Sequence, residues 1–386
     1  MTYQQRENCS AQNVRASTIY LDAASTCLHK PQGVTSAVIS AMQGFGNPGR
    51  GAHSHSLAAL RCVYSGRKAI GELLGVDPAQ VVFTSSCTSA LNMAIAGLLK
   101  PGDHVVTTVI EHNSVLRPLS GFEYTAIGLK NGDLDYSQFA QALKPNTKAV
   151  VITAASNVTG LVVDLEFVAE FCKKHGLIFI VDAAQAAGLL PINADALGIS
   201  ALCFAGHKSL FGSQGIGGIC VGKGIEITPT KFGGTGIDTF NLGQPEKMPE
   251  RLEAGTLNTP GIAGLTTGVE YILDQGMNNI LQKSLGLARN FYERVSMIHG
   301  VKLYSGKPTI PIVTINIDDM ESGAVESILS QEFGISVRGG YHCAPLLHRA
   351  YGTEQQGMVR FSFSCFNTQD EVDSAVKAVV KLAKNA

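Results

Sequence analysis

Between Ile19 and Gly222, short apolar runs rich in β-branched residues alternate with stretches of helical periodicity, which leaves few folds open. The runs are VVFTS (81–85), HVVTTVI (104–110), AVVITAAS (149–156), LIFIVDAA (177–184) and ALCFAG (201–206). Runs of this kind, linked by helices, are expected to be buried on both faces of a mainly parallel sheet. Helices are expected at Ser54–Leu74, Thr88–Leu99 and Asp164–His175, with turns at Pro101-Gly102 and Asn131-Gly132. The pattern predicts a three-layer α/β domain. The run GIGGICVG (215–222) follows the fifth strand after only a short glycine-rich loop, so it is free to return antiparallel.

Residues 223–264 are rich in Gly, Pro and Thr and read as a long irregular crossing segment. Beyond it come one helical stretch (about 266–299), a strand IPIVTINI (310–317), a helix near 324–332, strands around ISVR and MVRFSFS, and a helix from Gln369. That βαββα-like order predicts a second, smaller α/β domain. The expected division gives residues 19–265 to the large domain, and 1–18 with 266–386 to the small one. A chain of 386 residues is long enough for two such units.

Lysine plus arginine (30) nearly balances aspartate plus glutamate (31), and no basic run marks a nucleic-acid binder. No apolar run approaches the roughly 20 residues that span a bilayer. The polar N-terminus lacks the apolar core of a signal peptide. Nine scattered cysteines without a CxxC pair fit a reduced, cytoplasmic setting rather than a disulfide scaffold or zinc ribbon. The pairs His53/His55 and His342/His348 lack closing carboxylate or cysteine ligands, so no metal is expected.

Chemistry-bearing residues gather where strands end. Lys208, in FAGHKSLFGSQGIGG, lies just past a buried strand, between Gly206 and a glycine-rich loop. A lysine there is either a snorkelling strand-end charge or an amine held for chemistry, which partial burial favours by shedding its proton. Asp182 ends LIFIVD, where side chains of an open α/β sheet meet ligands; alone it reads equally well as a helix N-cap. Ser85-Ser86-Cys87-Thr88-Ser89 opens a helix, and small hydroxyl residues there suit either an ordinary cap or an anion. His112 follows the strand HVVTTVI, placed to stack on a ring or to satisfy a strand end. An amine, a carboxylate, an anion cradle and a ring wall are the four demands of pyridoxal 5′-phosphate.

With these residues in view, the chain from about Ile19 onward resembles class-V pyridoxal-phosphate enzymes of fold type I. It is most similar to the cysteine desulfurase and selenocysteine lyase group. The matching stretches are IYLDAAST, NPGRGAH, IEHNS, SNVTG, VDAAQ, FAGHKSLFGSQGIGG, RLEAGTLNTPGIAGL, VRGGYHCAPLLH and VRFSFSCFNTQDEVD. The resemblance implies a seven-stranded sheet and Lys208 as the covalent attachment point of the cofactor. It implies Asp182 at the pyridine nitrogen, His112 on the ring, Gln185 near the phenolic oxygen, and Asn157 beside cofactor or substrate. Cys87, Thr88 and His207 fall at phosphate-binding positions, and Thr256 matches a threonine offered to the neighbouring subunit's phosphate, implying a homodimer. Arg360 matches the arginine that clamps the substrate carboxylate, a task suited to a bidentate fork. Three positions depart from the pattern. Ala205 replaces a serine hydroxyl, Cys87 takes a place often held by threonine, and Gly49 stands where Suf-type enzymes have a histidine.

In Arg338-Gly339-Gly340-Tyr341-His342-Cys343, the resemblance makes Cys343 the thiol that accepts sulfur from L-cysteine. A lone cysteine is more often a small buried hydrophobe, but the glycine-rich polar surroundings argue against a core position. Arg338 and His342 are expected to favour its thiolate, with Arg338 also near the substrate. The implied reaction converts L-cysteine to L-alanine, with a sulfur-acceptor protein as partner. A lyase acting on selenocysteine or cystine, and a class-V aminotransferase, are the alternatives on the same fold.

Overall fold

The computed structural model describes residues 19–49 and 51–385; the arm expected from residues 1–18 lies outside them. Among the described residues, fourteen strands occur in chain order. They are β1 (Ile19–Tyr20), β2 (Val81–Thr84), β3 (His104–Thr108), β4 (Glu123–Ile127), β5 (Leu129–Lys130), β6 (Asp133–Leu134) and β7 (Thr147–Thr153). There follow β8 (Ile178–Asp182), β9 (Ala201–Ala205), β10 (Gly217–Val221), β11 (Val301–Leu303), β12 (Ile312–Ile317), β13 (Ile335–Ser336) and β14 (Val359–Ser362). The helices are α1 (Val34–Gly44), α2 (Ser54–Leu74), α3 (Cys87–Leu98), α4 (Asn113–Leu119), α5 (Gln138–Gln141) and α6 (Leu165–His175). The rest are α7 (Thr259–Gln275), α8 (Met277–Val295), α9 (Ser322–Phe333), α10 (Pro345–Tyr351) and α11 (Gln369–Asn385).

The large sheet has the order β2-β10-β9-β8-β7-β3-β4. Its pairings are parallel except those of β10, which runs antiparallel to both β2 and β9. The five apolar runs read from the sequence are all present, and the glycine-rich sixth returns antiparallel as its short connection allows. β4, the seventh strand, escaped notice because its sequence EYTAI is largely exposed at the sheet edge. Alternate side chains on the inner strands enter different cores. Val150 and Ile152 join Phe179, Val181 and Phe204 on one face, while Val151 joins Val105, Ile180 and Cys203 on the other. This division is what produces three layers.

Local signals account for the helices. In α6, Asp164 caps the N-terminus by accepting the Phe167 N–H at 2.9 Å, Lys173, Lys174 and His175 sit in the last turn, and Gly176 closes it at φ 63°. The single helical stretch expected over 266–299 is instead two helices, broken at Gly276, whose φ of 79° no continuous helix allows. The first of these, α7, runs unbroken through residue 265 and packs on α1 and α2.

Strands β11, β12 and β14 form a separate antiparallel sheet around a core that includes Val313, Ile315, Phe361 and residues of α8, α9 and α11. β11 was not anticipated, and the ISVR run touches this sheet only at its last residue, where Arg338 makes an isolated antiparallel bridge to Arg360 of β14. The first half of the run, β13, pairs in parallel with β1. That pairing brings the segment following β1 against the C-terminal part of the chain. Between Val221 and Thr259 there is neither helix nor strand, as the composition of the crossing segment predicts, but its expected end at 264 is too late, because residues 259–264 already belong to α7. No helix among the described residues is long and apolar enough to cross a membrane.

Candidate functional site

Because β2, β3, β7, β8 and β9 share one direction, their carboxyl ends open onto one edge of the sheet, where ligands bind in open α/β folds. One cleft there is lined by Cys87 and Thr88 after β2, His112 after β3, Asn157 after β7, Asp182 and Gln185 after β8, and His207 and Lys208 after β9. Arg338 and Arg360 close it from the smaller sheet's side. Ten expected site residues therefore converge, though they are scattered over 274 positions of the chain (360 − 87 + 1).

Lys208 is part-buried at the cleft, and among the described residues its ammonium has no hydrogen bond or ion pair. Burial lowers its pKa, against the pull of nearby Asp182. Asp182 is 3 % exposed. Its Oδ1 accepts the Ala184 N–H at 2.9 Å and the Cys87 thiol at 3.4 Å, while Oδ2 has no protein hydrogen bond. Burial and the Asp182 charge push the Cys87 thiol well up, so it remains a donor.

His112 accepts the Ser114 N–H at Nδ1, at 3.0 Å, which leaves the ring proton on Nε2. Burial brings its pKa down to about 4, and His207 likewise falls to about 4 through burial and the adjacent Lys208. Both rings are neutral near pH 7.

The helix α3 begins at the cleft. Ser86 caps it by accepting the Ser89 N–H at 3.2 Å, and the Thr88 hydroxyl is 2.8 Å from that of Ser114. Gly217 of β10 packs so closely that a Cβ there would stand 2.7 Å from Ser86 C and 2.8 Å from Cys87 N. Buried and unpartnered His207 Nδ1 and Asn157 Oδ1 add unused polar capacity. A helix N-terminus, hydroxyls, an unpaired amine and a carboxylate with a free oxygen fit a cofactor bearing phosphate, aldehyde and pyridine nitrogen.

Arg360 is 1 % exposed and donates from NH1 to Asn157 O (2.8 Å), and from NH2 to Asp22 Oδ1 (2.7 Å) and Ser25 Oγ (2.6 Å). Two of its three nitrogens are thus engaged within the protein, while Nε has no partner. Gln185 donates to the Ala24 carbonyl at 3.0 Å. The segment 22–25 thus shapes the cleft. The stretch IYLDAAST carries no local sign of this role, because the pairing of β1 with β13 that delivers it is a long-range event.

Two expected residues do not line the cleft. Cys343 is half-buried on a turn where His342 (φ 50°) and Cys343 (φ 57°) both adopt left-handed backbone, uncommon for residues with side chains. The turn is tied down by Asn113 N–H donating to Cys343 O (2.7 Å) and Asn157 Nδ2 donating to His342 O (2.8 Å). It rests against residues flanking the cleft. His342 does not supply the cation expected beside Cys343. Burial holds its pKa well below the ordinary value, and Nε2 donates to Arg338 O at 3.0 Å. Thr256 is exposed in the crossing segment, on the outer side of the Ser85–Ser89 loop. Among the described residues, no three His, Cys, Asp or Glu side chains are grouped to hold a metal ion.

The aminotransferase class-V family model matches residues 19–375. A probable cysteine desulfurase of Methanothermobacter thermautotrophicus is 30% identical over 379 residues, covering 95% of this chain and 94% of that protein. A cysteine desulfurase of Yersinia pestis is 30% identical over 385 residues, covering 95% and 93%. Among solved structures, an apo cysteine desulfurase from Thermococcus onnurineus superposes with a TM-score of 0.90 at 30% identity, covering 97% of this chain and 98% of that one. One from Escherichia coli gives 0.86 at 25% identity, covering 100% and 99%. The strand order, the convergent cleft and these likenesses agree: the chain belongs to the class-V aminotransferase family, alongside its cysteine desulfurases.

Proposed function

We propose that this protein is a pyridoxal 5′-phosphate-dependent cysteine desulfurase, taking sulfur from L-cysteine onto Cys343 and releasing L-alanine. The observation that carries this reading is the unpartnered Lys208 amine in one cleft with Asp182 and Arg360, with the Cys343 turn hydrogen-bonded against its flank. When bound, the cofactor supplies an aldehyde for amino groups and an electron sink that loosens the substrate's Cα–H bond.

The chain's own residues supply the rest. Asp182, held by Ala184 and Cys87 through Oδ1, would have Oδ2 free for the ring nitrogen. Neutral His112 gives a flat wall without adding charge. The α3 N-terminus, Thr88 and His207 would hold the phosphate. Lys208, whose proton is loosened by burial, accepts the Cα proton of the substrate and returns it. Arg360 and Asn157 orient the substrate carboxylate, and Arg338 lies beside them. The Cys343 thiolate attacks the substrate sulfur. A sulfur–sulfur bond forms, the carbon–sulfur bond breaks, and the released electron pair takes a proton to become the methyl group of alanine. The persulfide then passes its outer sulfur to a thiol or to an acceptor protein.

The test is Cys343→Ala. Cofactor and L-cysteine binding, read by visible absorbance, should persist, because neither uses the thiol. Sulfide release with a reductant present should fall by orders of magnitude. Mass spectrometry of the wild type after brief exposure to cysteine should show one added sulfur on the Cys343 peptide. Undiminished sulfide release, or an adduct confined to another cysteine, would redirect the assignment to a lyase or an aminotransferase.

A further inference from the structure

Two guanidinium groups line the substrate end of the cleft, and one carboxylate, Asp22, is ion-paired to Arg360 from outside the lining. Arg338 and Arg360 stand opposite each other in an antiparallel bridge, exchanging backbone hydrogen bonds of 3.2 and 2.8 Å, so their side chains leave neighbouring points. Asp22 pairs with Arg360 at 2.7 Å, with side chains only 17% and 1% exposed. Ser25 ties the group together: its hydroxyl donates to Asp22 Oδ1 at 2.7 Å and lies 2.6 Å from Arg360 NH2 and 3.4 Å from Arg338 NH1. The acid that lines the cleft itself, Asp182, is engaged through Oδ1 with Cys87 and Ala184. Two positive charges and one negative leave a single net positive charge at this end, which matches an amino acid with one carboxylate.

We propose that Asp22 sets the charge selectivity of this subsite, fitting it to amino acids with one carboxylate and disfavouring those with a second anionic group on the side chain. The proposal rests on Arg360 binding the substrate carboxylate, as in the function proposed above. A side-chain carboxylate or sulfinate entering beside Arg338 needs a second uncompensated cation, and Asp22 removes it. With so little solvent between Asp22 and Arg360, the compensation is weakly screened. The ordinary substrate carboxylate meets the remaining charge, whereas the second anionic group of a dianion finds no uncompensated cation.

The experiment titrates the holoenzyme with L-alanine and L-aspartate and reads binding from cofactor absorbance. Asp22→Asn keeps the shape and an oxygen for Ser25 while deleting the charge. Its aspartate-to-alanine affinity ratio should rise by about tenfold or more, roughly 1.4 kcal/mol. Asp22→Ser, also neutral, should move the ratio the same way, and Asp22→Glu should restore the wild-type ratio. An unchanged or lower ratio in the folded neutral variants, or a raised ratio in Asp22→Glu, overturns the proposal. Arg360→Lys tests the clamp separately: wild-type alanine affinity in that variant would remove Arg360 from substrate binding, whatever Asp22 does.

Discussion

Glu111 is fully buried, one residue before His112, and sits behind the cleft rather than in it. Its Oε1 accepts from the Thr108 hydroxyl (2.5 Å) and the Thr153 N–H (3.1 Å), while Oε2 has no partner. Burial raises its pKa from 4.5 to about 8 despite those bonds, so near pH 7 it is a neutral acid. Because the folded value exceeds the unfolded one, its stabilising contribution is full below about 4.5 and is lost as pH rises through about 8. Glu111→Gln keeps both hydrogen-bond acceptances and cannot ionise. Urea unfolding at intervals from about pH 5 to 8 should show wild-type stability falling relative to the variant, with a slope approaching 1.4 kcal/mol per pH unit, roughly. A constant difference across that range would mean that Glu111 titrates elsewhere. Lys208 and Asp182 were legible in the sequence because Asp182 ends a strongly apolar strand and Lys208 closely follows another. Asp22 and Ser25 were not, because what matters is their contact with Arg360, more than three hundred residues away.

At the scale of elements, the approach of β10 to α3 is the contact that shapes the anion cradle. Gly217→Ala would put a methyl within 2.8 Å of the Ser86 and Cys87 backbone and 2.7 Å from Phe204 O, and neither strand nor helix can retreat from a packed sheet. Circular dichroism should remain that of a folded α/β protein. Cofactor affinity, measured by dialysis against dilute pyridoxal phosphate, should fall at least about tenfold, equivalent to 1.4 kcal/mol. Unchanged affinity would detach the α3 N-terminus from phosphate binding. Elements with strong local codes were readable: α6 has its cap, its basic last turn and its closing glycine. The break at Gly276 was hidden because helical periodicity continues on both sides of it. The departure of β13 from the small sheet was hidden because partner choice between short strands is made by tertiary packing.

For the whole molecule, the crossing segment is anchored by a buried ion pair. Arg67 and Glu253 meet at 2.6 Å, and Glu253 Oε1 also accepts the Phe83 N–H at 2.7 Å, fixing the segment to β2. This leaves Thr256 exposed beside the Ser85–Ser89 loop and Phe240 and Leu242 fully exposed farther out. The expectation is a homodimer in which Thr256 serves the partner's phosphate. Sedimentation should give twice the chain mass, and Thr256→Ala should weaken cofactor binding; a fully active, cofactor-saturated monomer would dismiss the arrangement. Glu253→Ala, by stranding buried Arg67, should cost about 3–5 kcal/mol of stability in chemical denaturation. The sequence by itself determined the layered α/β architecture and which strand ends carry chemistry, and it allowed the antiparallel return of β10, because strand and helix periodicity are local consequences of side-chain burial. Only the tertiary structure decided that the segment after β1 occupies the Arg360 fork, that His342 is neutral, and that Cys343 sits on a left-handed turn at the cleft's flank. Each depends on distances between residues far apart in the chain and on how completely packing excludes water from them, and no run of neighbouring residues encodes either.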